Sequence, residues 1–154
     1  MASASSPYVA VVGAGNSAPA DVLARAEEVG ALLAQRGAVV VTGGLGGVME
    51  AVCRGARAAG GVSLGILPGD DRSAANDFVT VAVATGMGEL RNGLVVRAAD
   101  AVIAVGGAYG TLSEIALALK TGTPVVTMES WDLPDVVTAA SPAEAVARAL
   151  AALA

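Results

Sequence analysis

A chain of 154 residues fits one domain and, at that size, buries enough surface to fold without disulfides or a structural metal. Its single cysteine can form no internal disulfide, and with no histidine the usual zinc ligand sets are excluded. The net charge of −5 argues against an extended nucleic-acid surface but not against one small anion, which backbone N–H groups hold without net positive charge.

In chain order the pattern predicts a strand at 8–12, a helix at 19–36, a strand at 38–42 and a helix at 47–59. Strands follow at 62–67 and 79–83, then a helix at 86–98, a strand at 101–105, a helix at 112–121, a strand at 124–128 and a helix at 142–153. Valine-rich runs alternating with longer Ala/Leu/Glu/Arg segments indicate βα units and a parallel sheet buried on both faces. The expected fold is a single-domain, Rossmann-like, doubly wound α/β sheet over residues 8–154, behind a disordered tail at 1–7. Gly37 after Gln35-Arg36 and Gly60-Gly61 after Arg57 read as helix stops. Ser141-Pro142 with Glu144 reads as a helix start.

Mean hydropathy is +0.66, yet the longest apolar stretch, 94–105, is interrupted by Arg97 and Asp100, so no membrane span is expected. Residues 1–7 carry neither the basic region nor the apolar core of a leader, and the expected location is the cytoplasm.

Three strands run straight into glycine: Gly13-Ala14-Gly15-Asn16-Ser17, Gly43-Gly44-Leu45-Gly46-Gly47, and Gly106-Gly107-Ala108-Tyr109-Gly110-Thr111. Glycine permits a sharp turn and lets an anion approach the backbone, while a helix that starts there aims unpaired N–H groups at it. In open α/β sheets such ligands gather beyond the carboxyl ends of the strands. Position 18 is alanine, so the first loop departs from GxGxxG, and none of the loops carries the lysine of a P-loop.

The stretch RNGLVVRAADAVIAVGGAYGTLSE at 91–114 resembles the Lonely Guy family, whose signature is PGGxGTxxE behind an upstream arginine. Gly107, Gly110, Thr111 and Glu114 fall on the signature, Arg91 on the arginine, and Asp100 on the aspartate before the strand. The second glycine loop and Leu64-Gly65-Ile66-Leu67-Pro68 extend the resemblance over most of 8–128. It implies that Arg91 and Glu114 are catalytic in hydrolysis of the N-glycosidic bond of a purine nucleoside 5′-monophosphate, giving base and ribose 5-phosphate. Gly106 and Ala108 depart from the signature's proline and second glycine, and the usual His and Glu before the arginine are missing. In these departures the chain is similar to molybdenum cofactor carrier proteins, which bind a phosphorylated pterin without cleaving it. That is the alternative reading: a carrier or sensor of a phosphorylated ligand. DNA-processing proteins share the superfamily fold, but the acidic balance disfavours that route.

The expected phosphate or nucleotide contacts are Gly13, Gly15, Asn16, Ser17, Gly43, Gly44, Gly46, Gly47, Gly107, Ala108, Tyr109, Gly110 and Thr111. No metal site or cofactor is implied. Thr111 to Glu114 also fits a capping box, in which Glu114 serves only the helix start. Arg91 has a second reading as an exposed helix residue beside a buried stripe of Leu90, Leu94 and Ala98. Tyr109 reads as a base-stacking ring or an exposed turn aromatic, and Met49 and Met87 as packing. Ile115, Leu117 and Leu119 are apolar on more than one helix face, and with the family's habit they point to a homodimer. The expected partner is a small AMP-like or pterin phosphate, with neither nucleic acid nor membrane.

Overall fold

Val9 and Val11 point into one apolar layer while Ala10 and Val12 point into the other, the two-residue alternation of a strand buried on both faces. They belong to β1 (Tyr8–Gly13), the middle of a sheet whose other strands are β2 (Val39–Thr42), β3 (Ser63–Leu67), β4 (Val81–Ala84), β5 (Ala101–Val105), β6 (Val125–Met128) and β7 (Val137–Thr138). The computed structural model, which describes residues 5–154, pairs them all in parallel in the order β4-β3-β2-β1-β5-β6-β7. Residues 1–4 of the expected tail lie outside the described residues.

Helices α1 (Ala20–Gln35), α2 (Val48–Ala58) and α5 (Pro142–Ala151) cover one face, contributing Val29, Val52 and Val146 to its core. The other face is covered by α3 (Asn92–Arg97) and α4 (Tyr109–Lys120), through Val95, Val96, Ile115 and Ala118. The expected doubly wound α/β sheet is therefore present. The chain lays β2, β3 and β4 on one side of β1, then crosses to place β5 on its other side, with Gly13 paired to Val105. That reversal opens a crevice at the carboxyl ends of β1 and β5, where α/β sheets receive ligands.

Two glycines set how closely α1 and α2 approach. A Cβ on Gly30 would fall 2.0 Å from the Val52 carbonyl oxygen, and one on Gly55 would fall 1.9 Å from that of Glu27. At the top of this pair the Val48 N–H donates to the Ala14 carbonyl at 2.9 Å, tying the start of α2 to the β1 loop. Gly37 and Gly60 have φ of +73° and +76°, as their helix-stop reading requires. Ser141 caps α5 by accepting from the Glu144 N–H at 3.2 Å. No described helix is long and apolar enough to cross a membrane.

Three expectations fail locally. The helix expected at 86–98 is a 3-10 turn, Gly88–Arg91, followed by only six residues of α3. Its inward residues are Arg91, Val95 and Val96, whereas Leu90 is 77% exposed and Leu94 39%; of the expected buried stripe only Ala98 packs partly on the core. Periodicity misled because the inward-facing side chain opening this segment is charged. Met87, expected to pack, is 44% exposed. Strand β7 is an edge of two exposed residues, too short to carry an alternation.

Candidate functional site

The N-terminus of α4 carries the strongest local signal. Its N-cap is Ala108, so Thr111 sits three residues inside and Glu114 in the second turn. The capping-box reading of Thr111 and Glu114 therefore fails: the helix begins before Thr111, and no side chain caps it. Leu112 is the first residue here to donate, to the Ala108 carbonyl at 3.0 Å, and the N–H groups of residues 107–111 have no backbone partner among the described residues. Free donors at a positive helix end form a cradle for an anion, and of these residues Ala108, Gly110 and Thr111 line the adjoining cavity. Gly107 makes it possible, with φ +113° and an ideal Cβ 2.3 Å from Thr111 Oγ1.

This cradle opens on a cavity of about 210 Å³ lined by Gly13, Ala14, Gly15, Met49, Arg91, Asn92, Ala108, Gly110, Thr111 and Glu114. Of its glycines, Gly15 and Gly110 have ordinary φ values, and a Cβ added to either would meet no atom within 4 Å. Nothing in the fold requires glycine at these two positions.

Arg91 and Glu114 both line the cavity, 9% and 8% exposed. The 3-10 turn places Arg91 over the ends of β2 and β3, where Nε donates to the Ile66 carbonyl at 2.9 Å and one NH2 group to that of Gly43 at 3.4 Å. Its other terminal nitrogen donates to Asn92 Oδ1. Gly43 lies close against the Arg91 side chain: a Cβ there would fall 2.6 Å from the guanidinium and 2.8 Å from Met49 Sδ, so both would have to shift. Burial pushes the Arg91 guanidinium below its ordinary range, and the Glu114 charge partly opposes that. Burial likewise pushes the Glu114 carboxyl up to about 7, with the Arg91 charge pulling the other way. The two form no ion pair within 4 Å. A carboxyl that titrates near neutral pH beside an unconsumed cation suits proton transfer or the capture of a charged ligand.

The rest of the expected set divides by place. Gly44, Gly46 and Gly47 lie off this cavity and shape the β2 loop. Thr42 Oγ1 accepts from the Gly44 N–H at 3.0 Å, Asn76 donates to the Leu45 carbonyl at 2.9 Å, and Gly47 takes φ +67° against the Gly15 carbonyl. Asn16 lines a separate groove with Leu23, Gly47, Glu50 and Arg54, and Ser17 is exposed beside it. Tyr109 is 81% exposed and lines a neighbouring groove. Asn92, Met49 and Ala14 were not among the expected contacts. Asn92 could have been found from its place next to Arg91, whereas Met49 carried no signal.

A sequence profile for the SLOG cluster4 family matches residues 6–152. The chain belongs to the SLOG cluster4 family. This bears out the resemblance to the Lonely Guy-like and molybdenum cofactor carrier-like group. An uncharacterized protein of Archaeoglobus fulgidus is 46% identical over 121 residues, 79% of each chain. The molybdenum cofactor binding protein of Rippkaea orientalis is 36% identical over 99% of this chain and 100% of its own, with a TM-score of 0.93. The molybdenum cofactor carrier protein of Chlamydomonas reinhardtii is 34% identical over 97% and 99%, with a TM-score of 0.89. In this SLOG cluster4 chain the cavity occupies the β1–β5 crevice, where the loops after both strands meet the start of α4.

Proposed function

We propose that this SLOG cluster4 protein holds a small phosphorylated ligand, its phosphate on the unpaired N–H groups of residues 107–111 and its body in the adjoining cavity. The single observation that carries the proposal is the pairing of those donors with Gly15 and Gly110, whose missing Cβ atoms leave space that the fold itself does not use. Arg91 neutralises and orients the anion; Thr111 adds a hydroxyl.

Carriage of molybdenum cofactor is favoured by the two named relatives, each at least 34% identical over nearly the whole chain. In this reading the pterin phosphate is cargo, and protonated Glu114 donates a hydrogen bond to it. A second reading, hydrolysis of a purine nucleoside 5′-monophosphate, is favoured by Glu114 itself, whose carboxyl titrates at about 7 inside the cavity. There Glu114 stabilises positive charge at C1′ as the C1′–N bond breaks. Water adds its oxygen to C1′, and its protons end on the new hydroxyl and on the departing base. Incubation with AMP tests this directly: release of adenine and ribose 5-phosphate, lost in Glu114→Ala, establishes hydrolysis. Intact AMP, together with a pterin detected by native mass spectrometry of the purified protein, establishes carriage. Failure to bind either ligand contradicts both.

The working unit in this proposal is a cytoplasmic homodimer. Ile115 is buried within the monomer, whereas Leu117 and Leu119 are half-buried on its second core and keep surface that a second copy would cover. Further exposed apolar side chains that a second copy could cover include Val81 (50%) and Val83 (44%) on the edge strand β4, and Leu90 (77%) in the 3-10 turn before α3.

A further inference from the structure

We infer that this site takes up its anion together with one proton. The phosphate enters beside Arg91 while the Glu114 carboxyl is neutral, and ligand held at lower pH is released as pH rises. The inference rests on the phosphate placement proposed above and adds how that same site is regulated.

Glu114 is 8% exposed and lines the phosphate cavity, yet its carboxyl has no hydrogen-bond partner among the described residues. A buried carboxylate in that state lacks both water and partners, a costly arrangement that a proton relieves. Burial accordingly pushes its ionisation up to about 7. The same cavity, of about 210 Å³, is lined by Arg91 and the start of α4, so a bound anion shares one small space with Glu114. Two negative charges so confined repel strongly, and the carboxyl is the one that accepts a proton near neutral pH. Arg91 supplies one positive charge, for which Glu114 and the anion compete. Protonation of Glu114 frees the guanidinium for the anion and turns the carboxyl from an acceptor into a donor.

The surrounding elements leave Arg91 as the one charge that acts on Glu114. The 3-10 turn also carries Glu89, exposed on the neighbouring groove, and α3 ends in the exposed Arg97. From α2, Glu50 faces a separate groove and lies 3.9 Å from Arg54. Strands β1, β5 and β6 carry no charged side chain; Tyr8 opens β1 at the end far from the cavity, and Glu129, just after β6, pairs with Arg25 at 3.5 Å. Within α4 the other titratable groups are the exposed Tyr109 at its start and the exposed Lys120 at its end.

Calorimetry of the full chain with sulfate at constant ionic strength isolates this proton. Sulfate does not titrate between pH 6 and pH 9, whereas a phosphate monoester loses its second proton at about 6. The inference expects sulfate affinity to fall by roughly ten- to hundredfold from pH 6 to pH 9, since above 7 each pH unit weakens it by up to about tenfold. At pH 8, titrations in buffers of different ionisation enthalpy should show uptake of most of one proton per sulfate bound. Glu114→Gln, neutral at every pH, should bind at pH 9 as wild type does at pH 6 and take up no proton. Ribose 5-phosphate should show the same difference between wild type and variant. Zero proton uptake in wild type overturns the inference without recourse to any variant. A pH dependence of sulfate binding that survives Glu114→Gln also overturns it, and both results leave the phosphate placement standing. Binding of neither anion at pH 6 overturns the placement and the inference with it.

Discussion

Replacing Glu114 with glutamine removes the one buried acid of the site, and the consequence has a definite pH dependence. In the unfolded chain this carboxyl ionises near 4.5, whereas in the fold burial holds it at about 7. Between those values the native state keeps a proton that the unfolded state has lost, so rising pH favours unfolding. The cost is absent below pH 4.5 and complete above 7. A displacement of about 2.5 pK units corresponds to about 3 kcal/mol at pH 8, and to only about 1 kcal/mol at pH 5. The glutamine amide does not titrate, and the other groups titrate in both proteins. Glu114→Gln should therefore gain roughly 2 kcal/mol relative to wild type between pH 5 and pH 8, or roughly 4–8 °C in Tm for a chain of this size. Urea unfolding followed by circular dichroism at both pH values, with unchanged slopes, measures the gain. A difference between variant and wild type that is constant with pH, or that reverses sign, would refute the buried-acid reasoning.

Gly15→Ala and Gly110→Ala should fold at wild-type stability or slightly above it, because each Cβ enters open space, yet each should lose at least about tenfold in affinity for a phosphorylated ligand. Gly107→Ala, at φ +113° and against Thr111, should instead lose about 2 kcal/mol or more of stability in the same denaturation assay. Arg91→Ala leaves the Ile66 and Gly43 carbonyls without their donor and removes the nearby positive charge that Glu114 feels, so a loss of about 2–4 kcal/mol and weaker phosphate binding by calorimetry are expected. The double change Val83→Asp and Leu90→Asp should turn a dimer into a monomer in analytical ultracentrifugation without lowering the monomer's helicity.

The strand and helix order was legible because valine pairs such as Val11-Val12 and Val40-Val41 are buried on both faces, and helix stops such as Gly37 carry their own backbone signature. The crevice was legible too, because glycine follows β1, β2 and β5 directly. The division of labour among those glycines was not. Gly107 takes φ +113° against Thr111 and Gly43 lies against the Arg91 guanidinium, whereas Gly15 and Gly110 have no neighbour, a distinction that exists only in three dimensions. Arg91 was found through the resemblance rather than through its pattern, since a buried arginine among exposed leucines inverts the usual signal. Tyr109 was seen as exposed, but Trp131, the ring it stacks on, lies 22 residues later in the chain and had no sequence link to it.

Amide NMR of the ¹⁵N-labelled protein titrated with ribose 5-phosphate tests most directly whether the start of α4 is the phosphate site. Saturable shifts largest at the N–H groups of residues 107–111, with smaller ones at the β1 loop, are the predicted result. Shifts centred elsewhere in the fold, or none at all at saturating ligand, would contradict the account.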